Sequence, residues 1–517
     1  MKKAVIAKRI SQFVFLSIFI YILWSTTYPL KGLLPAETFF KLNPLIMIVT
    51  SISERLILAG IIFSFVMLLL TLIFGRFFCG WVCPLGTMID IAGYFNKGRR
   101  QLTDAQNRKL RSPKFFILSV VFIASFFGLQ IAWILDPMVI SARLVSLNLI
   151  PTTTLLINRS LEGLIKTFGL YGWLYDFYRS LQTSFLGVKI RFFAHSIVIF
   201  LFFYAIIVWA VYLKRSWCRG LCPLGAFYAL FAKPALLKRK VEKCNRCMKC
   251  KTDCRMGAIK DGLDYVQSEC VLCMDCVYDC PQKSTSFVFA DKKKEDYKGE
   301  IEKGPIEKAP ASGISRRNFL ALAFFSLFPF NSQMPARQKV IRPPAALKEE
   351  EFLNRCIRCG NCMKVCITNG LQPALLQAGL SGIWTPHLVP EIGYCEYRCT
   401  LCGNVCPTQA IPKLTVEEKV RTRLGLAKID RKTCIPWKKK KNCIVCEEHC
   451  PIPNKAIKLK KFKIGDKIVL RPYINQDLCT GCAICQTKCP VRPDRAIKVY
   501  PVKVTHGKNQ GPVSIKI

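Results

Sequence analysis

The chain lacks most of the signatures by which redox proteins bind organic cofactors. It has no C-x-x-C-H run for covalent haem, no G-x-G-x-x-G for a dinucleotide and no G-x-x-x-x-G-K-[ST] for a nucleotide phosphate. Its 517 residues include only four histidines, too few for bundled haem ligation. NAD(P)H and ATP therefore have no recognisable seat, which turns attention to an electron donor dissolved in the membrane. Acidic residues are scarce as well, 33 against 76 Lys and Arg, giving a formal charge of +43. No helix-turn-helix, RNA-binding or zinc-finger pattern accompanies this excess, so nucleic acid is not the expected partner. Attraction to anionic lipid headgroups and compensation of bound clusters account for it better. Spare cysteine is missing too. All 28 cysteines fall into local groups of four once Cys79, Cys83, Cys218 and Cys222 are counted together, leaving none for a structural disulfide. That usage indicates metal coordination.

What the chain does have is best read from Cys244 to Pro281. Cys244, Cys247, Cys250 and Cys254, then Cys270, Cys273, Cys276 and Cys280, form two C-x2-C-x2-C-x3-C runs, the second followed by proline. In two-cluster ferredoxins such a run gives three thiolates to one [4Fe-4S] cluster and its fourth to the neighbour. The expected quartets are Cys244, Cys247, Cys250 with Cys280, and Cys270, Cys273, Cys276 with Cys254. Zinc motifs usually pair two C-x2-C units instead.

A second array follows: Cys356, Cys359, Cys362, Cys366; Cys395, Cys399, Cys402, Cys406; Cys434, Cys443, Cys446, Cys450; and Cys479, Cys482, Cys485, Cys489. Three of these groups end in Cys-Pro and lead into Ala-Ile, at Cys406, Cys450 and Cys489, as a turn into a short strand requires. The spacing is irregular. Three residues separate Cys395 from Cys399, eight separate Cys434 from Cys443, and Ile367 stands where a proline is expected. Ligand number is unaffected, so four further clusters and six in all are expected. Their pairing is open: adjacent groups exchange fourth ligands, or the first exchanges with the fourth and the second with the third. With each oxidised cluster carrying roughly −2, six lower the formal charge by about 12 and leave the chain basic.

The mean hydropathy of +0.26 is too apolar for an ordinary soluble enzyme. Apolar runs at Ile10 to Trp24, Leu56 to Phe74, Phe115 to Leu135 and Phe192 to Leu213 are each expected to span a ~30 Å hydrocarbon core. Lys2, Lys3, Lys8 and Arg9 precede the first, and no small-residue cleavage site follows it, so an uncleaved helix with a cytoplasmic N-terminus is expected. Lys97, Arg99, Arg100, Arg108, Lys109, Arg111 and Lys114 between the second and third runs, and Lys214, Arg215 and Arg219 after the fourth, agree with that orientation. The outer loop from Asp136 to Arg191 carries an aromatic amphipathic stretch, Leu155 to Leu186, expected to lie in the interface or to roof a quinol pocket.

Just inside the second and fourth runs stand Cys79-Gly-Trp-Val-Cys83-Pro-Leu-Gly86 and Cys218-Arg-Gly-Leu-Cys222-Pro-Leu-Gly225. The shared C-x3-C-P-L-G is an internal repeat and implies two related hairpins. Within each motif the two sulfurs are about one helical turn apart. Together the four thiols offer a seventh cluster or two redox dithiols; the plainer reading is a pair of turns fixed by proline and glycine. Asp136, at the outer end of the third run, is the candidate acceptor of a quinol proton. His195 is expected to be a hydrogen-bonded histidine inside the fourth helix, and His449, beside Cys450, either tunes a cluster through a hydrogen bond or is simply exposed.

Residues 291–314 read as a charged linker. Ser315-Arg316-Arg317-Asn318-Phe319-Leu320 and the apolar Ala321 to Phe330 have the pattern of a twin-arginine (Tat) export signal, unless the two arginines merely precede a buried helix.

These motifs carry a family resemblance. The four apolar runs, the two C-x3-C-P motifs, Trp133-Ile-Leu-Asp-Pro137 and the following double ferredoxin resemble, over residues 1–289, the NapH-type membrane subunit of quinol dehydrogenases. The C-terminal half of NosR and the copper-handling ferredoxin-type proteins of oxidase assembly are more distantly similar. From about 315 to 499 the chain resembles periplasmic polyferredoxins of the NapG or MauM type. The fold class expected is a membrane α-helical bundle of four spanning helices with α+β ferredoxin-like two-cluster modules. Its parts are a membrane domain at 1–235, a two-cluster ferredoxin at 236–290, the linker, a signal-like segment at 315–335 and a four-cluster polyferredoxin at 336–517. The resemblance implies a protein of the bacterial inner membrane that oxidises quinol from the quinone pool and passes electrons to a partner reductase or cytochrome. The first ferredoxin is then cytoplasmic and the second periplasmic, so that either the C-x3-C-P thiols carry electrons across or the first pair of clusters serves another purpose. The rival expectation is an assembly factor supplying electrons or metal to another redox enzyme.

Overall fold

The computed structural model describes residues 2–30, 32–58, 60–95, 102–169, 171–182, 191–261, 264–289 and 340–505. The charged linker and the twin-arginine segment lie outside the described residues. The chain divides into two compact units, each gathered from three stretches. One comprises Met1–Ile18, Lys41–Met138 and Tyr204–Gln333; the other comprises Phe19–Phe40, Val139–Phe203 and Met334–Ile517.

The principal helices are, in chain order, α1 Lys2–Ser25, α2 Pro44–Glu54, α3 Ile61–Phe74, α4 Pro84–Ala92, α5 Asp104–Phe126, α6 Pro137–Phe168, α7 Ser196–Tyr212 and α8 Pro223–Ala232. In the first unit, local chemistry sets most helix ends. Asn43 accepts the Ile46 N–H at 3.2 Å and Pro44 opens α2. Thr103 and Gln106 form a capping box at the start of α5. Helices α4 and α8 both begin at Cys-Pro, so each has a cysteine at its N-cap. Helix α8 packs against α2, α3 and α5. Beyond it, β1 Leu237–Val241 pairs antiparallel with β2 Thr285–Phe289, Arg239 opposite Phe287, and the ladder closes the first ferredoxin around its cysteine runs.

In the second unit, the polyferredoxin is threaded by short antiparallel ladders. These are β3 Leu371–Pro373 with β4 Pro386–Leu388, β5 Arg423–Ile429 with β8 Ile497–Thr505, and the hairpin β6 Ile457–Ile464 with β7 Lys467–Ile474. Its core interleaves ligand cysteines with Phe352, Ile411, Leu424 and Ile457, and takes in Leu147, Phe193 and Ile199. Lys364 is buried and its ammonium donates to the carbonyls of Leu23, Trp24 and Thr26 at the C-terminal end of α1.

Of the four expected spans, the first coincides with a helix of sufficient length and apolarity; the other such helix lies in the expected outer loop. Among the described residues, Lys3–Ser25 and Pro137–Phe168 are long and apolar enough to cross a bilayer, whereas α3 and α7 are shorter apolar helices. The second expected run loses its beginning because Arg55 and Gly60 adopt positive φ and break the helix. The third helix starts at Asp104 rather than Phe115 and stops at Phe126, where Gly128 turns the chain with φ 77°. The outer loop, expected to carry an amphipathic stretch over Leu155 to Leu186, is largely helical. α6 is continuous through a π turn at Val145–Leu149 and ends at Gly169, and a short amphipathic helix, Trp173–Leu181, follows.

Candidate metal centres

The thiols gather in quartets, each made of three cysteines of one group and the fourth of its neighbour. Cys254, Cys270, Cys273 and Cys276 line one cavity of about 400 Å³. Cys250 lies within electrostatic reach of Cys244, Cys247 and Cys280, the other expected quartet. In the polyferredoxin, Cys356, Cys359, Cys362 and Cys406 line a cavity of about 350 Å³, and Cys395, Cys399, Cys402 and Cys366 one of about 440 Å³. Cys434, Cys443, Cys446 and Cys489 line an open pocket of about 370 Å³, and Cys479, Cys482, Cys485 and Cys450 one of about 330 Å³. Adjacent groups thus exchange fourth cysteines. For the last two groups the β5–β8 ladder brings the strand after Cys489 alongside the strand that leads to Cys434.

The backbone of the regular runs is wound for this purpose. On either side of the middle cysteine both residues have positive φ: Arg246 and Met248, Leu272 and Met274, Arg358 and Gly360, Gly481 and Ala483. Successive turns of this kind point N–H groups inward and favour an anion. The runs with irregular spacing, around Cys399 and Cys443, lack the paired turns. Backbone N–H groups of Ala258, Ser284 and Ile411 donate to Cys254, Cys280 and Cys406 Sγ at 3.2, 3.3 and 3.5 Å. Arg239 Nη2 donates to Cys250 Sγ at 3.5 Å. These donors stabilise thiolate and tune a bound centre. Burial, reinforced by neighbouring thiols, pushes Cys276, Cys359, Cys446 and Cys482 up to about 12. Loading metal therefore releases protons at neutral pH.

The donor set suits a multinuclear cluster better than a single ion. Among the described residues no group of three or more His, Cys, Asp or Glu is drawn together tightly enough to hold one metal ion. Four thiols spaced around an apolar cavity fit a body of several atoms.

In the first unit the four membrane-motif thiols also come together. Cys79, Cys83, Cys218 and Cys222 are all buried, and they lie within electrostatic reach of one another. Burial raises the thiols of Cys83, Cys218 and Cys222 above their ordinary value. That shift disfavours a reactive dithiol, which needs a depressed value. Gly225 N–H donates to Cys222 Sγ at 3.2 Å.

This quartet interlocks with the first ferredoxin. A Cβ built on Gly80, between Cys79 and Cys83, would lie 2.0 Å from the carbonyl oxygen of Val271, between Cys270 and Cys273; only glycine admits that approach. Trp81 Nε1 donates to the Leu272 carbonyl at 3.0 Å. Around the joint, Glu269 meets Arg76 at 2.9 Å and Lys114 at 2.6 Å. Asp90 meets Arg215 at 2.7 Å, Arg255 at 3.0 Å and Lys8 at 3.4 Å.

The remaining candidates fall elsewhere. Asp136 is fully buried; its oxygens accept from Asn43 Nδ2 at 2.8 Å and from Met138 N–H at 3.0 Å, so it organises the entry to α6. His195 sits outside the fourth helix, preceding α7 with φ 62°, because the chain must turn there to enter it. His449 is exposed at its ring and bonds its own turn, Nδ1 to the Val445 carbonyl at 3.0 Å. Arg76, Arg215, Asp90 and Glu269 were not among the expected site residues. Their signal was available: an arginine stands three residues before the first cysteine of each C-x3-C-P-L-G motif.

Comparison with known proteins agrees with this geometry. Residues 56–102 and 196–244, the two halves of the internal repeat, match the 4Fe-4S binding domain family. The ferredoxin-type protein NapG of Escherichia coli is 34% identical over 173 residues, 32% of this chain and 73% of that protein. The methylamine utilization ferredoxin-type protein MauM of Methylorubrum extorquens is 31% identical over 195 residues, 37% of this chain and 86% of its own length. An uncharacterized protein of Methanocaldococcus jannaschii is 27% identical over 305 residues, 57% of this chain and all of that protein. No solved structure matches.

Proposed function

Because the chain belongs to the NapG and MauM family of ferredoxin-type iron–sulfur electron-transfer proteins, we propose that it is a membrane-bound quinol dehydrogenase that feeds electrons to a partner reductase. When bound, [4Fe-4S] clusters each exchange one electron with little rearrangement, which lets a chain of them separate the two electrons of quinol.

The carrying observation is the joint in the first unit, where the loop between Cys79 and Cys83 meets the loop between Cys270 and Cys273 with no side chain between Gly80 and Val271. A membrane motif and a ferredoxin motif in backbone contact make a short conduit. The family matched by 56–102 and 196–244 supports reading Cys79, Cys83, Cys218 and Cys222 as ligands of a seventh cluster.

In this reading the apolar helices form a NapH-like membrane domain and α1 crosses with its N-terminus inside. Lys8 and Gln12, near the start of α1, bond to Asp90 within the first unit, and the carbonyls at its C-terminal end are capped by Lys364 within the second. The basic residues flanking the apolar runs and the twin-arginine pattern support a cytoplasmic first ferredoxin and a periplasmic polyferredoxin.

A reporter fusion after Ala345 tests the sidedness: outward-facing activity is expected, and inward-facing activity removes periplasmic delivery. The chemistry is tested by mixing purified oxidised protein with a menaquinol analogue. Rapid bleaching of the cluster absorbance is expected. If dithionite bleaches the protein and the quinol does not, while a partner enzyme lacks its cofactor in cells without this chain, the maturation role replaces the dehydrogenase.

A further inference from the structure

The two arginines that precede the repeated motifs cross over. Arg76 and Arg215 each stand three residues before the first cysteine of their own repeat, and both are buried, at 0% and 1% exposure. A Cβ added to Gly225, in the second motif, would lie 2.8 Å from Arg76 Nη2 and 3.4 Å from Cys222 Sγ. A Cβ added to Gly86, in the first motif, would lie 3.6 Å from Arg215 Nη2 and 3.6 Å from Cys83 Cβ. Arg215 Nη1 also donates to the Cys79 carbonyl at 3.0 Å. Each guanidinium thus reaches the Pro-Leu-Gly turn of the other repeat, a pseudo-twofold exchange that sets a cation against each half of the quartet.

The two cations are answered unequally: Arg215 bonds Asp90 through Nε at 2.9 Å and Nη2 at 2.7 Å, besides the Cys79 carbonyl. Arg76 spends Nη1 on Glu269 and the Ser268 carbonyl, while among the described residues its Nε and Nη2 have no hydrogen-bond partner. Glu269 is shared with Lys114, and Asp90 is shared among Arg215, Arg255 and Lys8, with Asp275 taking part of Arg255. Five cations face three carboxylates in a buried region, and buried charge without an opposite is strongly unfavourable. Four thiolates around an iron–sulfur cluster supply an anion of roughly −2, and thiols of this quartet lie within electrostatic reach of both Arg76 and Arg215.

We propose that Arg76 and Arg215 are the paired counter-cations of the cluster held by Cys79, Cys83, Cys218 and Cys222, positioned to hold its negative charge in the buried site and to raise its reduction potential. This rests on the seventh-cluster reading above. Reduction adds negative charge, so a fixed cation nearby favours the reduced form. Removing either arginine lowers the potential.

The test uses the full chain, purified anaerobically, with iron analysis and an EPR-monitored redox titration of the wild type, Arg76→Gln, Arg215→Gln, Arg76→Lys and Gly225→Ala. The wild type is expected to hold about 28 iron atoms. Arg76→Gln and Arg215→Gln shift one and the same signal to lower potential, and Arg76→Lys restores most of the shift. Arg239→Gln, beside Cys250, moves a different signal. Gly225 sits in a helix without positive φ, so Gly225→Ala is compatible with the backbone yet crowds Arg76 away from Cys222; it shifts the same signal even if Arg76→Gln does not accumulate. With iron at about 28, unmoved signals in Arg215→Gln and Gly225→Ala overturn the proposal and leave the cluster in place. A wild type holding about 24 iron atoms, unchanged by Cys79→Ser, shows instead that the seventh-cluster reading is wrong, and this proposal falls with it.

Discussion

Replacing Glu269 by glutamine probes the joint between the membrane motifs and the first ferredoxin. Its carboxylate, 3% exposed, meets Arg76 at 2.9 Å and Lys114 at 2.6 Å, and its backbone adjoins Cys270. Burial alone would push this carboxyl up; Arg76 and Lys114 overcome that and hold it below the ordinary value of 4.5. Glutamine keeps the shape but leaves two buried cations facing a neutral amide. Breaking a buried pair costs about 3–5 kcal/mol, and Lys114 can limit the loss by shedding its proton, so about 3 kcal/mol is expected near pH 7.5. Local opening of residues 267–273 should become about 100-fold more frequent, read as faster amide hydrogen exchange by mass spectrometry. Because the folded carboxyl lies below its unfolded value, its contribution is complete above about pH 5 and fades as pH falls through the folded value. The two proteins should therefore converge only under acid conditions. Lys114→Met in the glutamine background removes one orphaned cation and should restore part of the protection. Exchange within about twofold of wild type, or no relief from Lys114→Met, would refute the reasoning.

Crossed ligation predicts that Cys254→Ser perturbs the EPR signal of the cluster held by Cys270, Cys273 and Cys276 and spares the one held by Cys244, Cys247 and Cys250; the converse pattern would contradict it. In the polyferredoxin, Cys489→Ser should likewise affect the site of Cys434, Cys443 and Cys446, seen as a changed signal from that cluster alone. Lys364→Met leaves the last carbonyls of α1 without their cation, at a cost of about 1–3 kcal/mol. Faster hydrogen exchange in residues 19–30, with α5 unaffected, is the expected readout; unchanged exchange there would remove Lys364 as the cap.

Much of the site was legible because a C-x2-C-x2-C run needs no distant partner to declare itself. The quartets of the first ferredoxin, including the crossed Cys254 and Cys280, follow from spacing alone, and so does the duplication of C-x3-C-P-L-G. The pairing of the last four groups did not follow. A Cys-Pro turn states that the chain reverses but not which strand it joins, and that is decided by the β5–β8 register between distant segments. Helix α6 was hidden for a related reason. Ser141, Arg143 and Ser146 look like loop residues, yet all three are buried. Arg143 stacks over Trp384 at 4.2 Å and donates to the Arg358 carbonyl at 3.0 Å, partners more than two hundred residues away. The exchange of Arg76 and Arg215 between repeats was in the sequence as a matching offset, but only the fold gives it direction.

The account stands on these cysteines holding iron in cubane form, and the most direct measurement is iron and acid-labile sulfide per chain in anaerobically purified protein. About 28 of each is the predicted result. Colourless protein carrying zinc in place of iron and sulfide would contradict it.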